Sequence, residues 1–280
     1  MASTFFGLHI GSSALSSFQV ATNTTANNIA NVKTTGYTRQ EATLQAKDAI
    51  NVTARYGSVG TGVTVTSIKQ QRDLYYDNKY WENNSCYGRY EQKLYYMEQI
   101  QNYFKDNGSS VKGFSSVFSQ MFSDLDTLRS KPSDKTVRNQ FISSAQSLCT
   151  YFNQMSDNLS KLQDDCNEEI RNNVDKINSI SEKISLLNKE INQIETGTGV
   201  EAAHLDERAN LIDSLSKIVN VSYNETEVQN TYGDNLGGTN FSLYINGEKV
   251  VEGKDYRKLI CESSKTKNNQ TDNDDMYKIY

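Results

Sequence analysis

Residues 141–194 read FISSAQSLCTYFNQMSDNLSKLQDDCNEEIRNNVDKINSISEKISLLNKEINQI, and their spacing decides the fold. Phe141, Ala145, Leu148, Phe152, Met155, Leu159, Leu162 and Cys166 recur at alternating intervals of four and three. That is the period of a helix with one apolar seam. Ile170 then follows Cys166 after four residues where three was due. Such a stutter locally relaxes a left-handed supercoil without ending the helix. The pattern resumes with Ile177, Ile184 and Ile191 in one row and Ile180, Leu187 and Ile194 in the other. A helix of this length would run roughly 80 Å at 1.5 Å per residue, so the sequence predicts a rod. Gly197 and Gly199 are expected to stop it, and Leu205 to Val219 supply a shorter helix that can fold back.

Outward from this helix the pattern stays mostly helical. A three/four spacing runs from Ile68 to Phe104 through Tyr76, Tyr80, Tyr87, Tyr90, Leu94, Met97 and Ile100. Asn107-Gly108-Ser109 breaks it, a helix follows around Phe114 to Leu128, and Lys131-Pro132-Ser133 is a stop and restart. Ser133 is expected to cap the long helix, with Asp134 in the first turn, where the helix dipole favours a carboxylate.

The N-terminal segment carries a narrower seam. Leu8, Leu15, Thr22 and Ile29 are seven apart, and Gly11, Phe18, Thr25 and Val32 form a parallel row. The flanks are small or polar, as at Ser12, Ser13, Ser16, Ser17, Asn23, Asn27 and Asn28. A seam this thin fits a helix lying on one or two other helices, because an isolated helix of this length is marginal in water. Gly36 is expected to end it.

Residues 37–67 are rich in Thr and Val with Gly57, Gly60 and Gly62, and Val63-Thr-Val-Thr alternates like a strand. Phe241, Leu243 and Ile245 also alternate, and Asn246-Gly247 signals a type I′ turn before Val250-Val251. Residues 262–280 are polar and show no core-forming pattern. The expected fold is mainly α: an elongated helical bundle or coiled-coil body with an N-terminal heptad helix and small β-hairpins. The expected segments are 1–36 (axial helix), 37–67 (extended or β insert), 68–221 (helical bundle) and 222–280 (the start of a β-rich region that breaks off early).

Composition agrees. The hydrophobic fraction is 36% and mean hydropathy is −0.67, low for one thick globular core. Pro132 is the only proline in 280 residues, which favours long helices. The net charge of −5 argues against nucleic-acid binding. No apolar run reaches the ~18 residues of a membrane span, and the N-terminus lacks the basic region of a Sec signal. Cys86, Cys149, Cys166 and Cys261 are too scattered for a zinc site or disulfide framework, so buried free thiols are expected.

The residues that could carry chemistry have blander readings. His9 lies off the seam, His204 precedes a helix, and no nucleophile elbow accompanies either. Gly57-Ser-Val-Gly60-Thr-Gly62 has the wrong order for a dinucleotide loop and no Lys-Ser/Thr after it. Asp164, Asp165, Glu168 and Glu169 read as an outward helix face. The 17 tyrosines sit among mixed charges, which suits helix packing or a subunit contact better than a nucleic-acid platform. Neither a catalytic residue, a cofactor nor a metal is expected.

The stretch Ala26-Asn-Asn-Ile-Ala-Asn-Val-Lys-Thr-Thr-Gly-Tyr-Thr-Arg-Gln40 resembles the N-terminal signature of the bacterial flagellar rod, hook and hook-associated axial proteins. The residues carrying it are Asn28, Ile29, Ala30, Asn31, Gly36, Tyr37, Arg39 and Gln40. Three further stretches resemble the hook–filament junction members of that family: Gly60-Thr-Gly-Val63 to Asp73, Leu128-Arg-Ser-Lys-Pro-Ser-Asp134 with Arg138, and His204-Leu-Asp-Glu-Arg208 through Leu211 to Val221.

The resemblance implies a non-enzymatic structural subunit, exported by the flagellar type III apparatus and placed outside the cell. It implies self-association in a ring or helical layer, with the hook protein and a second junction protein as neighbours and an export chaperone as a further partner. It also implies that the first helix pairs with a C-terminal helix. This sequence shows no such heptad at its end, so a fragment or a truncated gene is expected. The alternatives are a hook or rod subunit, a wall-cleaving hydrolase bearing a flagellar motif, and a coiled-coil interaction module unrelated to flagella.

Overall fold

The computed structural model describes residues 5–51, 57–105, 113–196, 202–229, 235–267 and 269–280. The chain is mainly α-helical. Helix α1 spans Phe6–Ala30 and precedes strands β1 (Gln40–Ala46), β2 (Ile50–Asn51), β3 (Ser58–Val59) and β4 (Val63–Gln70). Helices α2 (Leu74–Tyr103), α3 (Phe114–Ser130), α4 (Lys135–Thr196) and α5 (Ala202–Ser216) follow. Strands β5 (Val221–Gln229), β6 (Asn235–Ile245), β7 (Glu248–Glu252), β8 (Asp255–Tyr256), β9 (Cys261–Ser264) and β10 (Met276–Ile279) complete the order. Every strand pairing is antiparallel: β1 with β4, β2 with β3, β9 with β10, and β5-β6-β7-β8 in one sheet.

Helix α4 is a single helix of 62 residues and passes through the Cys166–Ile170 stutter without a break. Its start differs from the sequence expectation. Asp134, not Ser133, is the cap: its Oδ1 accepts the Thr136 N–H at 2.8 Å. Arg138 Nε donates to the Pro132 carbonyl at 2.7 Å and closes the turn from the other side. Helix α1 likewise ends at Ala30 rather than at Gly36. The Asn31 main-chain N–H makes the last helical bond, to the Asn27 carbonyl at 3.0 Å, and the following Val32 and Thr34 N–H groups turn instead to the carbonyls three residues back. Residues 68–70, expected in a helix, belong to β4. The expected stops at Asn107-Gly108-Ser109 and at Gly197 and Gly199 lie outside the described residues.

The chain divides into two compact units. The first comprises Met1–Cys86 and Ser179–Arg257. Its core combines the C-terminal part of α4 (Ile184, Leu187, Ile191), Ile212 and Leu215 of α5, and the inner face of the four-stranded sheet (Val221, Phe241, Leu243, Val251). Trp81 is buried against this core and donates its indole N–H to Asp213 at 2.7 Å. The Tyr223 ring stacks on Phe241 with centroids 4.9 Å apart, and the Arg208 guanidinium lies 4.1 Å from the Phe241 centroid. Arg208 also pairs with Glu225 at 2.9 Å and reaches Asn188 at 3.1 Å. A buried charge held on every side in this way costs about 3–5 kcal/mol to strip of a partner. At the β6–β7 turn Asn246 and Gly247 both have positive φ, 50° and 90°, as the Asn-Gly pair leads one to expect.

The second unit comprises Tyr87–Asn178 and Lys258–Tyr280. Among its described residues, Met155, Leu162, Val174 and Ile177 of α4 are the buried apolar ones. The stretch from 262 onward, which shows no apolar pattern, nonetheless contributes to β9 and forms β10, and amide side chains of α4 hold this end of the chain. Asn178 donates to the Leu259 carbonyl at 2.9 Å and accepts its N–H at 2.8 Å. Asn167 accepts the Tyr277 N–H at 2.8 Å, and Gln163 accepts the Asn273 N–H at 3.0 Å. Main-chain bonds of this kind leave no hydrophobic periodicity to read.

Candidate assembly surface

Helix α1 has two faces of opposite character. Its inner face packs on β1 and β4 and is made of small and polar side chains. Ser17 is 5% exposed and donates its hydroxyl toward the Ser13 carbonyl at 2.8 Å and the Val63 carbonyl at 3.1 Å. Thr24, also buried, satisfies its hydroxyl on the Val20 carbonyl at 3.0 Å. Gly62 has φ +108°, and a Cβ there would come within 2.3 Å of the Ser13 Oγ. The helix and hairpin therefore approach closely because neither carries bulk at the contact.

The outer face holds the seam. Leu8, Gly11, Leu15, Phe18, Thr22, Thr25, Ile29 and Val32 are all exposed, and the five large apolar ones among them are 58–77% accessible. Sequence reasoning singled out this stripe and passed over the inner one. The missed signal was there: Ser13, Ser17, Thr24, Asn28 and Asn31 also recur at three, four or seven.

The residues of the 26–40 motif divide between the two faces. Asn28 accepts the Gln40 N–H at 2.9 Å and donates to the Gln40 carbonyl at 2.8 Å. The Tyr37 hydroxyl donates to the Asn28 Oδ1 at 2.9 Å and accepts from the Asn27 amide at 3.1 Å. Gly36 takes φ +78°, and a Cβ there would fall 1.9 Å from Oδ1 of Asn210 on α5. Asp206 of α5 completes the junction, accepting the Thr38 N–H at 3.1 Å and the Gln70 amide at 2.9 Å. Asn28, Gly36, Tyr37 and Gln40 thus fix the turn from helix to hairpin. Ile29, Ala30 and Arg39 are exposed beside them. A cleft of about 570 Å³ runs between the end of α1 and β1, lined by Thr25, Ile29 and Val32 on one side and Arg39 and Gln40 on the other.

The groups considered for chemistry do not converge. His9 is exposed, and His204 faces Glu190 at 3.3 Å. Asp164, Asp165 and Glu168 are exposed, but Glu169 is not on their outward face. It turns to α2, accepting from Gln92 at 2.7 Å and from the Tyr96 hydroxyl. Burial and this bond push the Tyr96 phenol above its usual range. Among the described residues no three His, Cys, Asp or Glu side chains could hold a metal together. The four cysteines form no disulfide, but they are not buried as expected: Cys149 is exposed and the other three half-buried. They sit on helix flanks and an edge strand rather than in the core. Among the described residues no helix is long and apolar enough to cross a membrane.

The fold is that of a mainly α-helical chain whose first helix turns an apolar stripe outward. Residues 97–275 match the family of the flagellar hook-associated protein FlgK helical domain, and residues 8–38 match the flagella basal body rod protein family. The flagellar hook-associated protein 1 of Bacillus subtilis is 31% identical over 97% of this chain and 55% of its own length. That of Salmonella typhimurium is 32% identical over 89% of this chain and 43% of its own. The flagellar hook junction protein FlgK of Burkholderia pseudomallei shares the fold, with a TM-score of 0.57 and 21% identity over 72% of this chain and 32% of its own. The chain therefore belongs to the flagellar hook-associated protein FlgK family, and it spans about half the length of the curated relatives it matches.

Proposed function

We propose that this chain is a structural subunit of the bacterial flagellum, placed outside the cell where hook meets filament and required for filament assembly. It acts by packing, without catalysis. Its neighbours are further copies of itself in a ring or helical layer, the hook protein on one side and a second junction protein on the other. An export chaperone is a further partner on the way out of the cell. The observation that carries this reading is the outward seam that runs from Leu8 to Ile29 along α1 and on to Val32 in the turn after it, on a helix whose other face is already committed to its own hairpin. Such a stripe gains from burial only when another helix covers it.

The test is Leu15→Asp in the full-length protein. Leu15 is exposed in the isolated chain, so the variant should fold and be exported. Burying an unpaired carboxylate in the assembled seam costs roughly 3–5 kcal/mol, so cells should carry hooks without filaments. Normal filaments would overturn the seam. Loss of the hook itself in a deletion strain would favour a rod or hook subunit instead.

A further inference from the structure

Two more apolar stripes lie open on the second unit, on different helices from the seam. One is on α3, where Phe114, Phe118, Phe122 and Leu125 repeat at four, four and three. The rings form a chain, with centroids 5.1 Å apart for Phe114–Phe118, 4.7 Å for Phe118–Phe122, and 5.9 Å from Phe114 to Phe152 of α4. These five side chains are 37–53% exposed. The other stripe is on α2, where Tyr87, Tyr90, Leu94 and Met97 repeat at three, four and three and are 52–65% exposed. It points away from the face on which Gln92 and Tyr96 meet Glu169 of α4.

We propose that these two stripes are the two halves of one contact between copies of this chain, α3 of one against α2 of the next. The proposal rests on the assembly reading above and names surfaces for its self-association. Three properties match. Each stripe is about 15–17 Å long at the helical rise. Each exposes roughly 400 Å² of apolar side chain, taking ~200 Å² per aromatic residue. One side of a stable interface needs about 800 Å², a little over half of it apolar. The chemistry is complementary as well. Phenylalanine rings with no polar atom meet tyrosines whose hydroxyls can stay at the wet rim, and aromatic pairs favour edge-to-face contact. Because the halves differ, the contact is head-to-tail, the kind that builds rings and helical layers rather than closed dimers.

The experiment uses the purified chain with Leu15→Asp throughout, which silences the α1 seam. Analytical ultracentrifugation should then show a weight-average mass rising with concentration above 31.6 kDa. Phe122→Asp alone and Leu94→Asp alone should each be monomeric. Mixed, they should form a one-to-one pair that grows no further, since each supplies the half the other lacks. That pair also proves both variants folded. A chain monomeric up to about 1 mM, or a mixture that stays monomeric, overturns the proposal. Undiminished self-association by Leu94→Asp would show the phenylalanine stripe pairing with itself and overturns it too. Pairing in solution beside normal hooks and filaments in a deletion strain would sink the junction reading and leave this contact standing.

Discussion

The Asn28 side chain holds both main-chain polar groups of Gln40, accepting its N–H at 2.9 Å and donating to its carbonyl at 2.8 Å. One amide thereby fastens the start of β1 to the last turns of α1, and it sets the angle at which the hairpin leaves the helix. If the outer seam is the assembly surface proposed above, it is presented only while this inner face stays in place, and Asn28 then links the stability of the first unit to assembly.

Asn28→Ala removes both bonds to Gln40 and the acceptor of the Tyr37 hydroxyl, leaving part-buried main-chain groups unsatisfied. The expected loss is about 2 kcal/mol, read as a lower urea midpoint. Asn28→Asp should be at least as damaging. It keeps the acceptor for the Gln40 N–H but sets a carboxylate against the Gln40 carbonyl. Equal midpoints for wild type and both variants would show that the clamp carries no stability.

The cap of α4 offers a sharper comparison. Asp134 accepts the Thr136 N–H, while Ser133, the residue a capping rule selects from sequence, makes no such bond. Asp134→Ala should cost about 1 kcal/mol, seen as a lower thermal midpoint. Ser133→Ala should be close to neutral. The reverse order would return the cap to Ser133.

Most of the helical fold was legible in the sequence, because Met155, Leu162, Ile177, Ile184 and Ile191 sit in one apolar row that only a helix can bury. The strands around Asn246-Gly247 were legible for a similar reason, since that dipeptide fits few backbone conformations. What escaped was polar. Ser17 and Thr24 look like solvent-facing residues until Gly62 and the hairpin are known to lie against them. Asn178 and Asn167 hold Leu259 and Tyr277 through main-chain bonds that depend on no particular side chain downstream. Glu169 reads as one of four outward carboxylates and proves to be a ligand for two residues of α2. The seam of α1 was legible as a stripe, and the structure adds that the described residues leave it exposed.

Tyr96 and Glu169 also set a pH dependence whose sign follows from the shift. Burial first, and the bond to Glu169 second, hold the Tyr96 phenol above its ordinary value of 10.0. The neutral phenol is thus favoured more in the folded chain than in the unfolded one. Its contribution is complete below about pH 10 and is lost as pH rises through the folded-state value, because the unfolded chain ionises first. Denaturant midpoints measured at about pH 9 and pH 11 should fall more steeply for wild type than for Tyr96→Phe, which starts lower but has no phenol to titrate. Glu169→Gln keeps an acceptor and removes the neighbouring charge, so its slope should lie between them. Tyr223, raised chiefly by burial in the first unit, supplies a background common to all three chains. Parallel slopes for the three would mean that the α2–α4 bond does not govern the alkaline limb.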